Sequence, residues 1–376
     1  MNIELSDEQL SLKKVTRDLL SRAYDYERVA QAAGSAQGWT AEIWKHLADM
    51  GILGLCVAEE YGGAAAGPVE LAAVVEELGR VLAPEPVLDS AVLPADLIGQ
   101  TGTADQVRTW LPALASGDRL GAVAHHEQGD RWPMRRVSTE ATDQGDILTL
   151  SGTKVLVRQG HCADVLVVSA RLDGQIELFL VDTAQPSVRR TLYHSHDRSR
   201  GAHVEFIGAA AEILPRNSPT DALAHTQALA QTALFAEAVG AMDAMLSLTV
   251  DYLKTRKQFG TPLANFQSLT HRAADLFVRV ELARSMSALA TAKLADGYVD
   301  TVLNSRAALQ ICRSARAIAH ECIHMHGGIG VTQEHPVGHF ASRLVSIEHQ
   351  LGGADAHLSL LAAGVDNYET VGVGAV

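Results

Sequence analysis

The stretch Arg256-Lys257-Gln258-Phe259-Gly260-Thr261-Pro262-Leu263, with Phe266-Gln267 after it, places a guanidinium beside an aromatic ring and an amide. A guanidinium offers a planar fork of donors that suits a pyrophosphate. Further on, Gly327-Gly328 within His326-Gly327-Gly328-Ile329-Gly330 would let a backbone approach a ligand where a Cβ would clash. Each feature alone has a plainer reading: an arginine paired with a carboxylate, glycines ending a helix. A third pattern, His320-Glu321-Cys322-Ile323-His324, spells HExxH. On a helix it puts two imidazoles on one face beside a glutamate, as in zinc hydrolases. The third ligand of the longer zinc motif would fall at Gly330, which has none to offer. Short motifs recur by chance and need context, so no metal site is expected.

The elements that must position these residues divide the 376-residue chain into three parts. Residues 1–118 read as a helical domain. Ser6-Asp7-Glu8-Gln9 is a capping box, Trp39 to Met50 is amphipathic and stops at Gly51, and Glu59-Glu60-Tyr61-Gly62-Gly63 is a turn. Pro68 opens a further helix expected to stop at Gly79. Residues 119–218 read as a small β domain, with short alternating runs at Asp146–Leu150 and Asp164–Val168. Asp173-Gly174 between two apolar runs marks a hairpin, because both residues tolerate positive φ. Residues 219–376 read as a helical bundle built from Leu223–Lys254, Asn265–Asp296 and Val302–His326. The fold class is therefore α+β with segregated layers.

Composition narrows the function classes. A net charge of −13 argues against non-specific nucleic-acid binding, which needs clustered Lys and Arg. No basic-then-apolar leader and no run of ~18 apolar residues is read, so neither a secretory signal nor a membrane span is expected. Cys56, Cys162, Cys312 and Cys322 have no CxxC spacing and suggest no disulfide framework. A cytoplasmic protein fits these features.

Arg256…Phe259-Gly260…Gln267 resembles the RxxFG…Q signature of the acyl-CoA dehydrogenase family. His326 to Pro336 resembles the family's GGxGxxxExP stretch, and Glu59-Glu60-Tyr61-Gly62-Gly63 its PEEYGG turn, with Ala58 in place of Pro. The resemblance spans essentially the whole chain. It implies an N-terminal helical domain, a middle β domain and a C-terminal four-helix bundle. It also implies FAD, an acyl-CoA substrate, and an electron-transfer flavoprotein or similar acceptor. By resemblance Arg256 crosses a subunit interface to a neighbour's FAD, Phe259 packs on its adenine side and Gln267 hydrogen-bonds its adenosine portion. His324 takes the family's Gln position by the flavin, near Gly327 and Gly328.

The resemblance also implies a base, since the family removes an α-proton with a carboxylate as hydride passes to flavin. A desolvated carboxylate is basic enough for that task. The two familiar positions fall here on Leu351 and Ala230, with Gln231 where an Arg usually follows. Neither Leu nor Ala accepts a proton. The carboxylates Glu348, Asp355 and Glu237 are the nearest substitutes, each more simply structural. His335, His339, His349 and His357 are expected near the acyl pocket, where an imidazole can act as base. The TExxxGSD loop is replaced by His125 to Trp132, and the flavin-covering Trp-x-Thr by Leu156-Val157-Arg158. An arm kept and a centre lost is similar to one subunit of the α2β2 members that shorten steroid side chains. A homo- or hetero-tetramer is expected, and a self-sufficient homomer with an unusual base is the alternative.

Overall fold

The structure is a computed structural model that describes residues 4–130, 136–143, 145 and 147–365. The first helix, α1 (Asp7–Ala23), begins at the capping box. The Ser6 hydroxyl accepts from the Gln9 amide at 3.2 Å, and the Gln9 side chain accepts from the Ser6 amide at 2.9 Å. Then come α2 (Tyr26–Gly34), α3 (Ala41–Asp49), α4 (Pro68–Val81), α5 (Leu93–Thr101) and α6 (Ala104–Ala115). Leu20, Trp44, Leu47, Leu53 and Val74 form the shared core of α1, α3 and α4.

Gly79 does not end α4, as the sequence pattern suggests; the helix continues to Val81. The glycine is there for packing. A Cβ on Gly79 would overlap the Glu237 carbonyl, and one on Gly240 would overlap the Glu76 carbonyl. These two glycines let α4 lie directly against α7 (Pro219–Thr255). Gly240→Ala is therefore expected to destabilise the chain by about 1–3 kcal/mol, because neither backbone can yield freely. A lower urea midpoint at unchanged m-value would register it.

The middle β domain consists of β1 (Gly121–Ala124), β2 (Glu140–Asp143), β3 (Leu148–Arg158), β4 (Val165–Leu172), β5 (Gln175–Asp182), β6 (Val188–His194) and β7 (Arg200–Ile213). The strands run in the order β1-β4-β2-β3-β7-β5, with β6 also on β7. Because β5 pairs with β4 as well as β7, the sheet curls back on itself. The expected Asp-Gly hairpin joins β4 to β5 with Leu172 opposite Gln175; Asp173 has φ +50° and Gly174 φ +82°. Asp146, at the start of the expected strand, lies outside the described residues; that strand begins at Leu148.

The C-terminal domain packs α7, α8 (Gln267–Ala295), α9 (Thr301–His326) and α10 (Val337–Gln350) around Phe235, Met242, Ile311, Ile318 and Leu344. A short α11 (Ala354–Ala363) packs against α9. By length and composition alone α7 could cross a membrane. Most of that stretch is buried against α4, α8 and α9, the pattern of a bundle's central helix.

Candidate functional site

The arm residues sit where α7 stops. Arg256 leaves helical geometry (ψ 128°), and its carbonyl accepts from the Leu263 amide at 2.9 Å. That bond closes a small hairpin of β8 (Lys257–Gln258) and β9 (Thr261–Pro262). At its tip Phe259 has φ +53° and is 92% exposed, touching the edge of Phe266 and no other aromatic ring among the described residues. A bulky residue in left-handed backbone is strained. Holding a ring in water at that expense gains nothing for this chain alone. The Arg256 guanidinium is exposed and pairs with no carboxylate among the described residues, and Gln267 is exposed at the start of α8. The plainer reading of Arg256, an internal ion pair, therefore fails.

His324 is exposed on the last turn of α9, and Gly327 (φ +66°) follows it with Gly328 into a 3-10 turn. Nothing lies within reach of a Cβ on either glycine, so both face open space.

The chain's own cleft lies elsewhere. A cavity of about 900 Å³ opens between His125, His126, Leu156 and Arg158 of the β domain and Gln227, Ala230 and Gln231 of α7. A second, of about 530 Å³, runs on between α4, α7 and α10. Arg158 and Asp89 line both and are joined by an ion pair of 2.9 Å. A guanidinium–carboxylate strut thus stands where the cavities meet. None of Arg256, Phe259, Gln267, His324, Gly327 or Gly328 lines either one. Arm and cleft are separate features of this chain.

Burial pushes the His126 imidazole below its ordinary value, which favours the neutral ring. Behind the cleft Lys154 is fully buried, its ammonium donating to Glu127 at 2.7 Å and to Ser169 at 3.1 Å. Burial works against the Glu127 charge, but the bonds from Lys154, Ser138 and Thr139 prevail and pull its pKa to about 2. The altered loop is thus rigid at Glu127; Arg131 and Trp132 lie outside the described residues.

The candidate bases fare unequally. Ala230 lines the large cavity, while the neighbouring Gln231 is buried and accepts from Asn304 at 3.2 Å. Leu351 lies in the bundle core at 1% exposure and lines neither cavity. Glu348 is turned onto Arg316. Glu237 is gripped by both Nε and Nη2 of Arg343, at 2.6 and 2.8 Å, and is no free base. Asp355 is exposed in the first turn of α11, outside both cavities. The histidines were expected together and are not. His339 meets Tyr26 in the smaller cavity, His335 packs on His326, and His357 is buried with Nε2 2.6 Å from the Leu351 carbonyl. His349 alone of the four lines the large cavity.

The HExxH residues do not converge either. Glu321 and His324 both engage Arg272, and no group of three His, Cys, Asp or Glu side chains among the described residues is placed to hold a metal. Sequence reasoning missed Arg272 and the Arg158–Asp89 strut. The first carried a signal, a basic residue one turn and a half past Gln267; the second joins residues too distant in sequence to be paired by pattern.

The family profile described as acyl-CoA dehydrogenase, N-terminal domain, matches residues 6–118, and that described as acyl-CoA dehydrogenase, C-terminal domain, matches residues 224–365. The chain belongs to the acyl-CoA dehydrogenase family. It is 29% identical to the acyl-CoA dehydrogenase FadE27 of Mycobacterium tuberculosis, over 86% of this chain and 87% of that protein. It is 28% identical to the acyl-CoA dehydrogenase IpdE2 of Mycolicibacterium smegmatis, over 96% and 100%. Among solved structures, a variant of the Tcur3481-Tcur3483 steroid ACAD superposes with TM-score 0.87 at 30% identity, covering 96% of this chain and 98% of that one. The ChsE4-ChsE5 complex from Mycobacterium tuberculosis superposes with TM-score 0.90 at 27% identity, covering 98% and 100%. The family binds FAD and oxidises CH–CH bonds of acyl-CoA thioesters. The donors of the arm fit that cofactor: a guanidinium with no carboxylate partner among the described residues, an exposed ring, an exposed amide and a turn open to backbone approach.

Proposed function

We propose that this chain is one subunit of a heteromeric acyl-CoA dehydrogenase and completes the FAD site of a partner that carries the base. The observation that carries this reading is the separation of arm from cleft. Arg256, Phe259 and Gln267 point away from their own chain, so they serve a ligand held by another. FAD, when bound, supplies the hydride acceptor of the reaction. This chain's part is to hold its phosphates with the Arg256 guanidinium, cover its adenine with Phe259 and bond its adenosine through Gln267. His324 and the Gly327–Gly328 turn approach the flavin end. The substrate is an acyl-CoA, the acceptor an electron-transfer flavoprotein or similar carrier, the assembly a tetramer and the compartment the cytoplasm. The similar structure titled a steroid ACAD favours a bulky acyl group.

The domain limits 1–118, 119–218 and 219–376 belong to this same reading. Co-expression with a second acyl-CoA dehydrogenase chain that keeps a glutamate base tests it. A mixed tetramer with flavin on half its chains is the expected result. A homotetramer with one flavin per chain and full activity would overturn it.

A second reading, a self-sufficient enzyme, is favoured by one side chain. His349 donates Nδ1–H to the Val345 carbonyl at 2.8 Å, which leaves the Nε2 lone pair for the cleft. His349→Ala discriminates the two. In the co-expressed complex turnover should stay within about threefold of wild type. A loss of about 10²–10⁴-fold, the usual contribution of a general base, would favour His349 instead.

A further inference from the structure

We propose that Arg272 is a positioning residue that fixes the tautomer and aim of His324 toward the flavin of an adjacent chain. The inference rests on the reading of the arm given above.

Arg272 lies on α8, and Glu321 and His324 lie one turn apart on the same face of α9. The Arg272 Nε donates to Glu321 Oε2 at 2.7 Å, and Nη2 donates to the same oxygen. The same Nη2 reaches His324 Nδ1 at 2.9 Å. A guanidinium has donors only, so Nδ1 must be the acceptor. The one proton of the neutral ring then sits on Nε2, the nitrogen turned away from Arg272. The identity of the protonated nitrogen follows from the hydrogen bond made by the other, as it does in many functional histidines.

The consequence is directional. An unsupported imidazole on a helix surface offers either nitrogen and several rotamers. Here two contacts hold the arginine and the arginine holds the ring. His324 therefore presents an N–H donor beside the Gly327–Gly328 turn, on an open surface outside both cavities described above. An acceptor atom of the docked flavin is the group that donor suits. Glu321, which looks like a zinc-motif base in the sequence, is the anchor of this arrangement.

The plainer alternative is a surface ion pair that happens to touch a histidine. Such a pair would leave both the ring tautomer and flavin retention unmoved by substitution. The test uses the co-expressed complex with 15N-labelled imidazoles, the His324 signals being assigned by their loss in His324→Gln. Flavin retention is read separately by absorbance after repeated gel filtration. In the wild type Nδ1 should appear unprotonated and Nε2 protonated. Arg272→Leu should mix the tautomers and speed flavin loss by about tenfold, the worth of one hydrogen bond. Arg272→Gln, which keeps an N–H donor without the charge, should remain near wild type in both readouts.

A wild-type ring protonated at Nδ1 overturns the proposal. So does unchanged flavin retention in both Arg272→Leu and His324→Ala. Arg256→Ala separates the two levels: if it strips flavin while those two do not, only the role of Arg272 falls. If it too leaves flavin in place, the arm itself has been misread.

Discussion

Arg343→Leu is expected to lower the stability of the chain by about 3–5 kcal/mol at neutral pH, the loss found when one partner of a buried ion pair is removed. Arg343 sits between two carboxylates from different parts of the fold. Its Nε and Nη2 bind Glu237 of α7, and its Nη1 binds Asp197, in the turn before β7, at 2.9 Å. The Asp197 side chain has no exposure and that of Glu237 only 15%. Leucine would leave two anions facing each other out of water. The effect on pH dependence should reverse sign. Burial alone would raise the Asp197 pKa, but Arg343 and Ser199 overcome it and hold the carboxyl well below its ordinary 3.8. A depressed native pKa stabilises the fold above the unfolded value, and the stabilisation fades as pH falls below about 4. Wild type should therefore lose stability on acidification below about pH 4. The variant, whose unpaired carboxylates are relieved by protonation, should gain between pH 7 and pH 5. Urea denaturation at pH 7, 5 and 3.5 would show both slopes. Arg343→Leu with Glu237→Leu and Asp197→Asn should recover most of the loss, since apolar replacement of a whole buried ion cluster is often neutral. A variant as stable as wild type at pH 7 would contradict the account.

That cluster also illustrates what a sequence can and cannot disclose. Glu237 presents itself as an acid one helical stretch beyond Ala230, and nothing local says that it is bound. Its partner is over a hundred positions away, on a helix that reaches it only after the bundle closes. Local signals did translate. The Ser6–Gln9 box, the Asp173-Gly174 hairpin and the long apolar periods of the bundle each became the element their residues favour, because each depends on neighbours within a few positions. Gly79 shows the limit, for a glycine that reads as a helix stop was needed instead for contact with α7. The arm was legible as a motif, yet its meaning came from exposure. Only the fold shows that Arg256 has no carboxylate of its own among the described residues and that Phe259 stands in water. The cleft was legible only in part. The two family base positions could be counted along the chain, at Ala230 and Leu351, whereas the Arg158–Asp89 strut joins a strand to a segment that the sequence leaves unpaired.

Arg256→Ala in the co-expressed complex is expected to weaken flavin binding by about 10–150-fold, while leaving the melting temperature of the isolated chain unchanged. The first figure is the value of a charge-assisted hydrogen bond, about 1.5–3 kcal/mol, converted at 1.4 kcal/mol per decade. The second follows because the exposed guanidinium supports no internal carboxylate among the described residues. Phe259→Gly sharpens the contrast. Removing the ring forfeits about 0.5–1.5 kcal/mol of stacking in the complex. Placing glycine at φ +53° also relieves the left-handed strain, offset in part by the entropy glycine brings to the unfolded chain. The isolated chain should therefore be as stable as wild type or slightly more so, although flavin is held less tightly. Stability and function moving in opposite directions distinguishes a strained binding residue from a structural one. The measurements are flavin titration of the apo-complex and thermal unfolding of the chain alone. Should Phe259→Gly destabilise the chain and leave flavin affinity intact, the hairpin would be a structural turn, and the cofactor of the complex would owe nothing to this arm.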